Sequence, residues 1–250
     1  MIVKEVIPIS HFMYPCSVTY ADVGLDGRLS HKGVLRLLQE AAAVDSQNCG
    51  YGLLNAEETG VCWILTGWRI QLLERPLWHT PLTIETWPRT MEGFFSDRDF
   101  RILSGDKLIA KASSRWCLVN VHTGHVTRVT ETIRSAYTLD PQAMFSENLR
   151  SNGRSSDTAA ESFSTVVGRR DIDTNHHVNN LHYLDYAVEA LPQEVFEHLP
   201  ATLEIVYRKQ ILLGTPITCL YQVTDDGRHQ VEIRSGQGKD TVHHAFLWFY

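Results

Sequence analysis

Two stretches of the chain carry apolar residues at helical spacing, and each begins in a polar turn. In the first, Val34, Leu37, Leu38, Ala41 and Ala42 recur every three or four residues behind the turn DGRLSHKG, which starts at Asp26. In the second, Leu181, Leu184, Val188 and Leu191 do so behind DTNHHVNN, which starts at Asp173. That period gives each helix one apolar stripe. Ser30 and Asn179 are the N-cap candidates, because a short polar side chain can accept from the first unpaired N–H groups. After each helix come shorter runs rich in β-branched and aromatic residues. They are VCWILTGWRIQLL, PLTIETWPR, FSDRDFRIL and KLIAKASSRWCLVNV, then ATLEIVYRKQILL, PITCLYQVT, HQVEIRS and DTVHHAFLWFY. Gly, Asp and Pro mark the turns between them, as in SGDK, TDDG and SGQGKD.

The chain therefore reads as an internal repeat with a shift of 147 residues, from Asp26 to Asp173. Each half predicts one helix packed on an antiparallel sheet, an α+β arrangement. Two such units would form a pseudo-dimer whose sheets pair edge to edge, which removes two exposed edges. Residues 146–164, SENLRSNGRSSDTAAESFS, are rich in Ser, Asn and Gly and read as a linker over the surface. The expected boundaries are 1–145 for the first unit, 146–164 for the linker and 165–250 for the second unit. VTETIRSAY reads as a short additional helix.

Composition narrows the class. A chain of 250 residues with 43% hydrophobic content can bury a core without disulfides or metals. A net charge of −6 leaves no global basic surface for nucleic acid. The five cysteines are scattered without a CxxC pair, which suits reduced thiols and a cytoplasmic protein. Glu5 and Pro8 interrupt any signal-like apolar run, and no stretch approaches the ~20 apolar residues of a membrane span. The expectation is a soluble protein with neither nucleic acid nor membrane as partner.

Candidate chemistry sits in the second polar turn. With the two Asp residues matched, Asn175 and His177 stand where the first copy has Arg28 and Ser30. A turn needs only the Asp and a cap, so the added Asn and His predict one polar site per chain, in the second half. A helix N-terminus offers unpaired N–H groups and partial positive charge, which can stabilise an oxyanion. His177 can accept a proton, Asn175 can hold a water, and Asp173 can orient either, a set suited to water attack on an acyl group. Asp-x-Asn by itself is also a common turn signal. A metal or other cofactor is not expected, because His176 and His177 are adjacent and no HExxH occurs. Cys62 and Cys219 lie in apolar runs, where an inert buried thiol is the default. Trp63, Trp68, Trp78 and Trp87 read as core, with some lining a pocket.

The run Asp173-Thr-Asn175-His-His177-Val-Asn-Asn-x-x-Tyr183 resembles the active-site run of the acyl-acyl carrier protein (acyl-ACP) thioesterases of plants and bacteria. DGRLSHKGVLRLLQEAA, RIQLLERPLWHTPLTIETWPR, and DFRI followed by SSRWCLVNVHTG agree, so the resemblance covers nearly the whole chain. It implies a tandem (double) hotdog, each half a long helix wrapped by an antiparallel sheet. It also implies hydrolysis of the thioester between a fatty acyl chain and the phosphopantetheine arm of acyl carrier protein. By that resemblance Asp173, Asn175 and His177 are the catalytic Asp, Asn and His, and the N-terminal hotdog houses much of the acyl tail. The acidic carrier would meet exposed Arg and Lys near the tunnel mouth.

One departure stands out. The plant enzymes carry a catalytic Glu followed by Cys on the strand after the second helix. Here the run is Tyr207-Arg208-Lys209-Gln210-Ile211, so Gln210 takes the acid's place. An amide is no base, and a lost general base costs ~10²–10⁴ in rate. Either His177 or Asp173 takes that role while Gln210 holds the water, or the chain is slow. The alternatives are acyl-coenzyme A hydrolysis, an acyl- or carrier-binding module without chemistry, and a hotdog dehydratase. The tandem repeat already supplies the usual hotdog pair, so a homodimer of two chains is compatible but not required.

Overall fold

The structure is a computed structural model and describes residues 11–149, 153–155 and 159–250. Ten strands form one antiparallel sheet: β1 (Phe12–Ser17), β2 (Val61–Leu72), β3 (Pro81–Glu92), β4 (Phe95–Ser104), β5 (Lys107–Asn120), β6 (Ala160–Val166), β7 (Thr202–Tyr207), β8 (Pro216–Val223), β9 (His229–Ser235) and β10 (Val242–Phe249). The helices are α1 (His31–Asn48), α2 (Ala56–Thr59), α3 (Glu131–Ser135), α4 (Asn180–Glu189) and α5 (Gln193–Glu197). Among the described residues no helix is long and apolar enough to cross a membrane.

The strand order β1-β3-β4-β5-β2-β7-β10-β9-β8-β6 reads the same from either edge once the halves are superposed. The seam is the β2–β7 pair, with Trp68 opposite Ile205 and Ile70 opposite Leu203. Those four face the helices and join one continuous core with Leu35, Leu38, Leu184 and Ala187. The expected edge-to-edge pairing of two sheets is therefore present. Lys32 of α1 reaches Asp185 of α4 at 2.7 Å, so the two helices lie against each other over the seam.

Strand alternation sends the other residues to the opposite face. There Arg69 pairs with Glu204 across the seam, and Val206, Phe246 and Trp248 form a small second cluster. The connecting segment covers this face. The carbonyls of Glu147 and Asn148 accept from Arg69, that of Arg154 accepts from Gln230, and Ser155 Oγ donates to Glu232.

Residues 150–152 and 156–158 of the expected linker, and 1–10 of the expected first unit, lie outside the described residues. The linker is also shorter than expected, because β6 starts at Ala160 rather than after Ser164. Its composition misleads for a physical reason. β6 is an edge strand, mostly exposed, and polar residues suit such an edge as well as they suit a linker. VTETIRSAY holds α3, capped by Thr130 Oγ1 accepting from the Ile133 N–H. Trp68 and Trp87 are buried as expected, whereas Trp78 is exposed because it follows Pro76 in a turn rather than sitting in a strand.

Candidate active site

The turn before each helix has one backbone geometry, and it fixes how the halves correspond. In the first half Val23 bridges Leu29, the Gly24 N–H donates to Arg28 O at 2.9 Å, and Gly27 has φ +68°. In the second half Ile172 bridges Val178, the Asp173 N–H donates to His177 O at 2.9 Å, and His176 has φ +62°. The shift is therefore 149 residues, from Gly24 to Asp173. The match of Asp26 to Asp173 is corrected by two positions. Asp173 stands where the first half has Gly24, Asn175 where it has Asp26, and His177 where it has Arg28. The carboxylates that do recur are Asp22 and Asp171, both buried. Asp22 accepts from the Thr19 N–H at 2.9 Å, and Asp171 from the Gly168 N–H at 2.8 Å. These two hold the turn, so Asp173 is surplus to the scaffold.

Asp173, Asn175 and His177 lie together on this turn. Asp173 Oδ1 accepts from the Asn175 N–H at 2.8 Å and lies 3.7 Å from His177 Nδ1. His177 Nδ1 is 3.3 Å from the Val178 carbonyl, which can only accept. At that contact Nδ1 is the donor. Asn179 caps α4, its Oδ1 accepting from the Leu181 N–H at 3.0 Å. His176 holds a left-handed conformation at the position Gly27 fills in the first half; such strain collects at functional sites.

Gln210 is placed differently from the expectation. β7 ends at Tyr207, and the Arg208 and Lys209 N–H groups both donate to His244 O, at 2.8 and 3.3 Å. That doubled contact turns the chain out of the sheet, so Gln210 lies in an exposed loop rather than on a strand. The loop is pinned beside the polar turn, because the Val178 N–H donates to Ile211 O at 2.9 Å. His244 Nδ1 donates to Lys209 O at 3.0 Å, and burial holds this imidazole below its ordinary pKa, so it stays a neutral anchor. The Gln210 side chain makes no hydrogen bond among the described residues.

A cavity of about 760 Å³ opens at this turn. Its mouth is Ile172, Asp173, Thr174, Asn175 and Asn179 of the second half. Its body belongs to the first half, where Gln39, Ala42, Ala43 and Ser46 present one face of α1. Trp63, Trp116, Met91, Ser96, Arg98 and Tyr137 complete the wall. Asp173 and Asn175 touch the cavity; His177 stands behind Asp173, and neither it nor Gln210 lines the cavity. Sequence reasoning missed Ser96 and Arg98, although alternation with the core residue Phe100 in FSDRDFRIL signals that both point inward.

The thiols are free, and burial pushes Cys16 and Cys49 up to about 11 and Cys219 up to about 12. None is a nucleophile at neutral pH. Among the described residues no group of three His, Cys, Asp or Glu side chains could hold a metal ion.

Two helix-on-sheet units, one shared sheet, and one polar mouth opening on the neighbour's cavity define a double-hotdog protein. Family models for the acyl-ACP thioesterase N-terminal and C-terminal domains match residues 10–137 and 154–249, so the chain belongs to the acyl-ACP thioesterase family. It is 27% identical over 207 residues to oleoyl-acyl carrier protein thioesterase 2 of Arabidopsis thaliana, covering 76% of this chain. The chain spans 56% of that relative's length. The crystal structure of an acyl-ACP thioesterase from Bacteroides thetaiotaomicron superposes with TM-score 0.82 at 22% identity, covering 95% of this chain and 97% of that one. The 12:0-ACP thioesterase from Umbellularia californica gives TM-score 0.81 at 20% identity over 95% of each chain. These structures share the fold.

Proposed function

We propose that this chain hydrolyses fatty acyl-ACP thioesters to free fatty acid and carrier thiol. The observation that carries this reading is the shared cavity: an acyl-sized space in one half opens on the Asp173–Asn175–His177 turn of the other. The acyl tail lies along the Ala42–Ala43 face of α1, and the thioester carbonyl stops at the mouth. Water held by Asn175 attacks the carbonyl carbon, and the Asp173–His177 pair takes the water's proton, with Asp173 at the cavity and the imidazole beside it. The N-terminus of α4 faces the developing oxyanion with its partial positive charge. Collapse expels the thiolate, which is reprotonated from the same pair. Asp173 orients the Asn175 backbone and the imidazole. Arg169 and Arg170 lead into the turn and Arg208 and Lys209 precede Gln210, all four exposed, which suits an acidic carrier. Reduced thiols and this substrate fit a cytoplasmic setting.

Gln210 favours a second reading, a hotdog that binds acyl carriers without turning them over, because an exposed amide replaces an acid. Purified protein incubated with a panel of acyl-ACP thioesters separates the readings. Release of free thiol and fatty acid supports hydrolysis. Saturable binding with no thiol release supports the module, and an enoyl product from a 3-hydroxyacyl substrate would instead mark a dehydratase.

A further inference from the structure

The cavity wall carries a buried charge. Arg98 is 3% exposed, yet it lines the cavity. Its Nη2 lies 2.7 Å from Asp45 Oδ2, and its Nη1 donates to Thr86 Oγ1 at 3.2 Å. Asp45, on α1, lines a separate cavity of about 420 Å³ together with His11, Trp87 and Thr138. Tyr137 lines both spaces, and its hydroxyl accepts from Trp63 Nε1 at 3.1 Å. One ion pair and one phenol ring therefore separate the two cavities.

We propose that the Arg98–Asp45 pair, backed by Tyr137, is the end stop that fixes the longest acyl chain this protein accepts. The inference rests on the acyl-binding reading above. An apolar wall yields to a longer chain by rotamer changes, at modest cost. A buried ion pair resists, because a methyl terminus pushing into it would separate two mostly buried charges and leave the Arg98 guanidinium without its carboxylate. Each methylene buried before the stop improves binding about fourfold. The first methylene beyond it gains nothing. Without the pair, the second cavity becomes an extension of the first.

The test uses the whole chain in two forms, unmodified and with Asp45→Ala and Arg98→Ala together, so that no lone charge is left buried. Straight-chain fatty acids of increasing length are titrated against each, following the fluorescence of Trp63 and Trp116 in the wall. Hydrolysis of the matching acyl-ACP series is measured in parallel. Affinity of the unmodified chain should climb about fourfold per methylene and break off at one length. The double variant should move the break, and the hydrolysis cut-off with it, to longer chains. An unbroken climb in the unmodified chain overturns the proposal, as does an unmoved break in the double variant. If the double variant does not fold, Asp45→Asn with Arg98→Gln, which removes both charges at smaller cost in volume, is titrated in its place, and an unmoved break there overturns the proposal equally. If neither form hydrolyses any substrate, the thioesterase reading fails while the binding series continues to test the stop.

Discussion

The two halves build the same turn and do opposite things with it. In the first, Arg75 closes the turn on itself. Its guanidinium bonds both carboxylate oxygens of Asp26, at 2.8 and 3.0 Å, and the Leu29 carbonyl at 3.0 Å, while Arg28 donates to the Arg75 carbonyl. In the second, Asn175 replaces Asp26, His177 replaces Arg28, and Gln210 stands where Arg75 does. Among the described residues no Arg–carboxylate clamp closes that turn; its charged contact is the 3.7 Å approach of Asp173 to His177, which leaves the Asn175 amide at the cavity. The helices differ as well. α1 runs 18 residues and presents a long face to the cavity, whereas α4 runs 10. One half thus supplies most of the cavity wall and the other its polar turn, and a duplicated scaffold needs only a few side chains to make that difference.

The comparison breaks most directly at His177. His177→Ala should lower kcat on acyl-ACP by ~10²–10⁴, the usual worth of a general base, whereas Arg28→Ala at the corresponding position should leave turnover within about twofold. Equal losses from both would show that the halves are not divided as described.

His31 offers the next largest effect. Burial pushes its pKa down from 6.5 to about 4, against a backbone bond at Pro200 that raises it and with Arg75 adding to the fall. The folded state therefore binds fewer protons than the unfolded chain between those values. Stability is full above pH 6.5 and is lost as pH falls toward 4, by about 3 kcal/mol. Denaturant unfolding across that range should show this slope, and His31→Leu should flatten it. Its counterpart in the second half is Asn180, which does not titrate.

Gln210→Glu sharpens the contrast further. A carboxylate beside the polar turn should raise kcat by about tenfold through base catalysis and introduce an acidic limb in the pH–rate profile. No change would mean that position 210 only faces solvent.

The smallest effect lies in the backbone. His176→Gly should stabilise the fold by up to about 1 kcal/mol by relieving a positive φ, measured as a rise in unfolding midpoint. Gly27→Ala should destabilise it by a similar amount.

Much of this was legible in the sequence. Apolar periodicity located both long helices, turn residues separated the strands, and Asp173, Asn175 and His177 do lie on one turn, with Asp173 and Asn175 at the cavity. What failed did so for particular reasons. Asp26 and Asp173 look alike in the sequence, but the constant feature of the two turns is a left-handed residue, Gly27 in one copy and His176 in the other. The run around Gln210 reads as strand because nothing local in it shows that two successive N–H groups share the His244 carbonyl. The first five residues of β6 read as linker because an edge position tolerates polar side chains. Arg98 carries no local signal of its role, because a charge at an inward strand position gains meaning only when Asp45, distant in the chain, faces it.

The β2–β7 seam has one more consequence. It welds into a single sheet the strands that carry the cavity floor and those that hold the polar mouth. The distance from mouth to floor then behaves as a fixed ruler rather than an adjustable gap between two bodies. Selection could shift the mark on that ruler by altering side chains in the first half, and the cutting edge in the second would stay where it is.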